Sequence, residues 1–200
     1  MSTPLPSSFF ARDALEVARE LIGAHLRHGP VTLRITEVEA YRWPGDSANH
    51  CHRGRTARNA AMWGHPGRAY MYLCYGIHHM LNLVTGPEGH GAAVLIRAAE
   101  PVRGLDEIKA RRGGREGPTL LTGPGKLAAA LGLDLGFDHH PLTEPGGLEV
   151  LPGAPPARLA FGPRVGIDYA EPEHVVAPWR VADADSRWVS HRSRLQRSEP

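Results

Sequence analysis

Val31-Thr32-Leu33-Arg34-Ile35-Thr36-Glu37-Val38-Glu39-Ala40-Tyr41 is the stretch on which the fold turns. Val31, Leu33 and Ile35 alternate with Thr32, Arg34 and Thr36, a two-residue period that predicts a strand with one apolar face. Continued without interruption, that face runs on into Glu37, Glu39 and Tyr41. A carboxylate at the end of a core face is either neutralised by a nearby arginine or kept ionised for chemistry, because an unpaired buried charge is costly. For Glu37 alone, the structural role is the expectation.

Upstream, residues 24–28 are joined to this strand through Gly29-Pro30 and read as its antiparallel partner. Residues 13–22 place Leu15, Ala18, Leu21 and Ile22 at helical spacing, with Gly23 as C-cap. Downstream, Trp43-Pro44-Gly45-Asp46 ends the extended run, and the aperiodic, basic segment 47–66 reads as a long functional loop. In 69–75, Tyr70 and Tyr72 alternate with Met71 and Leu73, and Gly76 permits a tight turn before the apolar run 80–84, so a hairpin is expected with tyrosine near its tip. Residues 92–98 have a buried-strand pattern containing Arg97, 104–112 a helical one, and 127–131 a short helix closed by Gly132. Late strands are expected at 164–167 and 175–181, and a disordered tail carries Arg192, Arg194 and Arg197. Strands and helices are mixed without regular alternation, which favours the α+β class with a largely antiparallel sheet.

Charge is unevenly spread. Between residues 47 and 87 there is no Asp or Glu, while Arg53, Arg55, Arg58 and Arg68 lie there with five histidines, Trp63, Tyr70, Tyr72 and Tyr75. Interleaved cations and flat rings suit a surface for phosphates and bases, although a solvated basic face beside core tyrosines has the same composition. With 200 residues the chain can form one domain with a substantial core. Cys51 and Cys74 are the only cysteines, too few for a disulfide framework or a thiolate zinc site. No apolar run approaches membrane-spanning length and no export signal is evident, so a cytoplasmic protein is expected.

Two motifs invite wrong readings. Gly123-Pro124-Gly125-Lys126 resembles a phosphate loop, but Leu127 stands where a magnesium-binding Ser or Thr would be needed. A helix starting there could still hold one phosphate through its amides and Lys126. His50-Cys51-His52 lacks a second ligand pair at zinc spacing, so no metal is expected.

Taken together, Thr36-Glu37-Val38-Glu39-Ala40-Tyr41, His50, Arg58-Asn59, Pro66-Gly67, Tyr70-Met71-Tyr72-Leu73-Cys74-Tyr75-Gly76, Asn82, Leu95-Ile96-Arg97-Ala98-Ala99-Glu100-Pro101 and Gly123-Pro124-Gly125-Lys126-Leu127 resemble the alkyladenine (3-methyladenine) DNA glycosylases in order and spacing, from Phe9 to Ser190. The resemblance implies a monofunctional, monomeric enzyme without cofactor that flips damaged purines out of double-stranded DNA. By position, Glu39 would be the general base activating water, Arg97 would help hold that water, and Val165 would offer its backbone carbonyl. Tyr41, His50 and Tyr72 would wall the flipped base, and Asn82 would crowd the 2-amino group of guanine. Tyr75 would fill the vacated stack, with Arg58 and Lys126 also on the DNA side. The implied fold is a single domain over 1–200 with a curved antiparallel sheet, a protruding β-hairpin and surrounding helices, related to the C-terminal domain of formyltransferases, with 1–8 and 192–200 as flexible tails. A non-catalytic nucleic-acid-binding module is the competing class, but it would not need Glu39 and Arg97 together. A zinc hydrolase built on His50, His52, His78 and His79 is a third. Backbone nicking requires an amine nucleophile, and Lys109 and Lys126 stand outside the Glu39 motif, so no lyase activity is expected.

Overall fold

The computed structural model describes residues 2–196. Helix α1 (Ser7–Phe10) leads into α2 (Ala14–Leu21), whose first turn is capped by the Asp13 carboxylate accepting from the Leu15 N–H at 2.8 Å. Ala14, Val17, Ala18 and Leu21 form its buried face. Strands β1 (His25–His28) and β2 (Val31–Tyr41) then pair antiparallel around Gly29, as their spacing predicts.

Strand β2 organises the sheet. One edge pairs with β5 (Ala93–Arg103) along nearly its whole length, and the other edge is shared, first by β1 and then by β8 (Arg180–Asp183). Strands β3 (Ala69–Cys74) and β4 (His78–Val84) form the expected hairpin beyond β5, β6 (Glu149–Leu151) extends the β1 edge, and β7 (Leu159–Gly162) pairs with β8. Among the described residues all eight strands are antiparallel to their neighbours, and the sheet curls where β1 gives way to β8. Helices α3 (Leu105–Arg111), α4 (Pro124–Leu131) and the single turn α5 (Pro172–Val176) complete the domain. Glycine at 132 ends α4 with φ of 71°, a left-handed cap that a side chain would strain.

The uninterrupted alternation expected along β2 does not occur. Val31, Leu33 and Ile35 enter the main core, but so do Val38 and Ala40, leaving Glu37, Glu39 and Tyr41 on the opposite face. The cause is a pair of bulges. Ile35 faces Ala99 and Glu37 faces Ala98, which leaves Thr36 unpaired; Val38 then faces Ile96, which leaves Arg97 unpaired. An extra residue in a strand re-aims everything after it. Because both strands carry one, Val94 and Ile96 follow Val38 and Ala40 into the core, and the carboxylates turn away from it.

Helices α2 and α4 pack on the core face of the sheet. The other face is covered by the segment between Arg42 and Arg68, which buries a second, smaller cluster of Cys51, Ala61, Met62, Tyr70, Val84 and Ala93. Two buried asparagines give this loop its shape. Asn49 donates to the carbonyls of Arg42 and Gly91 and accepts from the Cys51 N–H; Asn59 donates to those of His50 and Gly54 and accepts from Thr56 and Trp63. Each amide does the work of a missing ladder, satisfying backbone groups that a buried loop would otherwise orphan.

Two late strands fall elsewhere than expected. Residues 164–167 are irregular, because the Val165 N–H goes to a side chain instead of a neighbouring strand. Within 175–181, α5 and Pro178 break the run, so the strand is Arg180–Asp183. The expected flexible ends also make contacts: the Leu5 N–H donates to Val150, Arg192 to the carbonyls of Ser186 and Ala184, and Gln196 bridges to Phe161. Arg197 lies outside the described residues. Among the described residues no helix is long and apolar enough to cross a membrane.

Candidate active site

The face of β2 released by the bulges borders a cavity of about 450 Å³ between the sheet, the 42–68 loop and the loop after β7. Glu39 lies at its base with no solvent exposure. Three groups hold the carboxylate: the Val165 N–H donates to Oε1 at 2.8 Å, Arg97 Nη1 lies 3.2 Å from the same oxygen, and the Tyr41 hydroxyl donates to Oε2 at 3.1 Å. All three of those residues line the cavity, whereas Glu39 sits behind them. Burial and the Glu39 charge both push the Tyr41 phenol well above its ordinary range, so it remains a donor.

Glu37 occupies the equivalent position two residues earlier but faces a different set of partners. It accepts from Arg180 Nη1 at 2.9 Å, from the Ser190 N–H at 2.6 Å and from Ser190 Oγ at 2.9 Å. Arg97 Nε is 3.4 Å away and also donates to Ser190 Oγ. Arg97 therefore spans the two carboxylates. Two buried anions and two buried cations, Arg180 having no exposure, form one neutral group, which is the arrangement that makes buried charge tolerable. Glu37 is thus structural, as its sequence position suggested.

Tyr41, His50, Tyr72 and Asn82 all line the cavity. Tyr70 and Tyr72 stack at 5.5 Å with 29° between planes, and His50 meets Tyr72 edge-on at 4.7 Å. The Tyr70 hydroxyl lies 3.0 Å from His50 Nδ1. Burial first, then Arg58, lowers the His50 pKa, while burial raises those of Tyr70 and Tyr72. At neutral pH the imidazole is neutral and shares one hydrogen bond with the Tyr70 phenol through Nδ1. Asn82 is pinned on the floor by its bond to the Tyr70 carbonyl at 3.2 Å.

Tyr75 stands at the tip of the β3–β4 hairpin, 92% exposed. It and Gly76 both take positive φ, 52° and 72°, and the Ile77 N–H closes the turn on the Cys74 carbonyl at 3.2 Å. This mirror-image turn demands left-handed backbone at both central positions, an uncommon conformation for tyrosine. Arg58 lines the cavity from the covering loop. Lys126 is on the first turn of α4 and does not line it, although its neighbour Pro124 does. Burial, Arg112 and Arg115 lower the Lys126 pKa.

Val165 meets Glu39 through its N–H, a contact separate from the water-holding role that the resemblance implies for its carbonyl. Reading the sequence also missed the group that fixes this corner. Arg164 and Asp46, both fully buried, form a two-pronged pair at 2.6 and 2.8 Å, and the guanidinium is sandwiched between the rings of Tyr41 at 4.7 Å and Trp179 at 4.9 Å. In the sequence Asp46 reads only as a turn residue, and no local signal marks it as the partner of an arginine 118 positions away. Tyr169, in the same loop as Val165, also lines the cavity and carried no local signal. Among the described residues no three His, Cys, Asp or Glu side chains gather as a metal site would require.

The family profile for methylpurine-DNA glycosylase matches residues 8–187. A Nitrosococcus oceani protein provisionally named a 3-methyladenine DNA glycosylase is 66% identical over 196 residues, covering 98% of each chain. A DNA-3-methyladenine glycosylase of Arabidopsis thaliana is 55% identical over 188 residues, covering 93% of this chain and 74% of its own. Matched over nearly all of its length by the profile and by both relatives, the chain belongs to the methylpurine-DNA glycosylase family.

Proposed function

We propose that the protein is a monofunctional DNA glycosylase that extrudes alkylated or deaminated purines from duplex DNA and hydrolyses their N-glycosidic bonds. Its substrates include 3-methyladenine, 7-methylguanine, hypoxanthine and ethenoadenine. The observation that carries this reading is Glu39, fully buried yet held by Val165, Arg97 and Tyr41 at the base of an aromatic cavity. Breaking the bond to the base develops positive charge on the sugar. A fixed carboxylate stabilises that charge and takes a proton from the attacking water.

Arg97 orients the water and Val165 helps to fix the carboxylate. Tyr41, His50 and Tyr72 enclose the base, and tyrosine faces attract cationic alkylpurines more strongly than neutral ones. Neutral lesions gain instead from the cheaper extrusion of a mispaired base. Asn82 rejects the 2-amino group of guanine. Tyr75 enters the vacated stack, while Arg58 and Lys126 meet phosphate. The protein works as a monomer in the compartment that holds the chromosome, and its fold is kin to the C-terminal domain of formyltransferases. Neither lysine serves as a Schiff-base nucleophile: Lys109 is bound to Glu116 at 2.7 Å, and Lys126 is not among the residues lining the cavity.

The test is single-turnover base release from duplexes carrying one of these lesions, with EDTA present throughout. Wild type should release base, and Glu39→Gln should lose about 10²- to 10⁴-fold in rate, the usual contribution of a positioned base, while still binding DNA. Tight binding without release would favour a non-catalytic binding module, and abolition by EDTA a metal hydrolase.

A further inference from the structure

Tyr169 is a large aromatic side chain left 68% exposed at the cavity wall. Exposed tyrosines are common, but this one is not free to swing. Its hydroxyl donates to the Ala48 carbonyl at 3.0 Å. Ala48 is itself buried, and its N–H is held by Asp46 Oδ1 at 3.0 Å, the carboxylate locked by Arg164. Burial raises the Tyr169 pKa, so the tether stays protonated at neutral pH. Among the described residues no other ring stacks on its faces. The result is a flat apolar surface, held rigid at its polar end and empty at its sides.

Its place in the chain indicates what it meets. The loop that carries it starts at Val165, whose N–H holds Glu39, and continues through Gly166 and Ile167 along the cavity. The stacked tyrosines and His50 line the same cavity and present the flat rings between which the base belongs. The part of an extruded nucleotide next to the carboxylate is its sugar. We infer that Tyr169 is a contact residue for the deoxyribose of the extruded nucleotide, its ring packing on the C–H face of the sugar only after flipping. This rests on the glycosylase reading above. A ring fixed in advance loses little entropy on contact, so the contact favours the extruded state specifically.

The experiment measures dissociation constants for an undamaged duplex and for the same duplex carrying one tetrahydrofuran abasic analogue, which presents the sugar without a base. Wild type should prefer the analogue. Tyr169→Ala should lose about tenfold of that preference, equivalent to ~1.4 kcal/mol, with unchanged affinity for undamaged DNA and an unchanged melting temperature. Tyr169→Phe keeps the ring and should retain the preference to within about threefold. The inference is overturned if Tyr169→Ala keeps the wild-type preference, if it loses affinity for both duplexes alike, or if Tyr169→Phe is as impaired as Tyr169→Ala, which would make the tyrosine a strut between two loops. Absence of any preference in wild type would instead overturn the glycosylase reading itself.

Discussion

Thr36 on β2 and Arg97 on β5 are both unpaired in one ladder, and each cancels the register slip introduced by the other. Only Glu37, facing Ala98, sits in the shifted register between them. A single bulge would have thrown the rest of the ladder out of step. Two together turn both strands over, so that Glu39 leaves the core face at the same point at which Arg97 is freed from pairing to meet it.

Removing Glu37 should therefore unbalance the whole group. Glu37→Ala leaves Arg180 buried without its carboxylate, and loss of one partner from a buried pair costs about 3–5 kcal/mol. Urea denaturation should show the midpoint falling with the slope unchanged. A loss under about 1 kcal/mol would mean that the four groups are not interdependent.

At the hairpin tip, stability and function should part company. Left-handed backbone costs a residue such as Tyr75 roughly 1–2 kcal/mol, and asparagine tolerates it better. Tyr75→Asn should leave stability equal to or slightly above wild type, yet lower base release by about tenfold or more, given ~1–3 kcal/mol for one aromatic–base stack. Equal release by both proteins would remove Tyr75 from the DNA-facing role.

The two thiols should differ sharply. Cys51 is buried beneath the covering loop and burial pushes its pKa up to about 12, whereas Cys74 is half-buried and lines the cavity. At pH 8 a neutral disulfide reagent should label Cys74 alone in the native protein, and both after unfolding. Duplex containing an abasic analogue should protect Cys74; labelling that ignores bound DNA would place the nucleotide elsewhere.

His50 gives a pH signature. Its folded pKa is depressed, by burial and then by Arg58, below the unfolded value near 6.5. As pH falls through 6.5 the unfolded chain takes up a proton that the folded chain still refuses, so stability declines across the window down to the folded pKa. Above pH 6.5 both states are neutral and the effect vanishes. His50→Gln should flatten this acid-side decline in denaturation midpoints collected from pH 5 to 8. A slope identical to wild type would count against a sheltered, neutral imidazole.

Local chemistry wrote much of this protein into its sequence. The two-residue period of β2, the Tyr75-Gly76 turn and the Gly132 stop of α4 depend on neighbours within a few positions, and each is legible without a fold. So were the residues that gather around the cavity, Tyr41, His50, Tyr72, Asn82 and Arg97, through their order along the chain. Only the tertiary structure decided which way the carboxylates face, because a bulge at Thr36 has no signature in a residue that suits a strand equally well. It also decided their partners. Val165 reaches Glu39 across 126 residues, Arg180 reaches Glu37 across 143, and Arg164 reaches Asp46 across 118. A buried charge must find an opposite charge wherever the packed chain brings one near, and that distance in space has no counterpart in distance along the sequence.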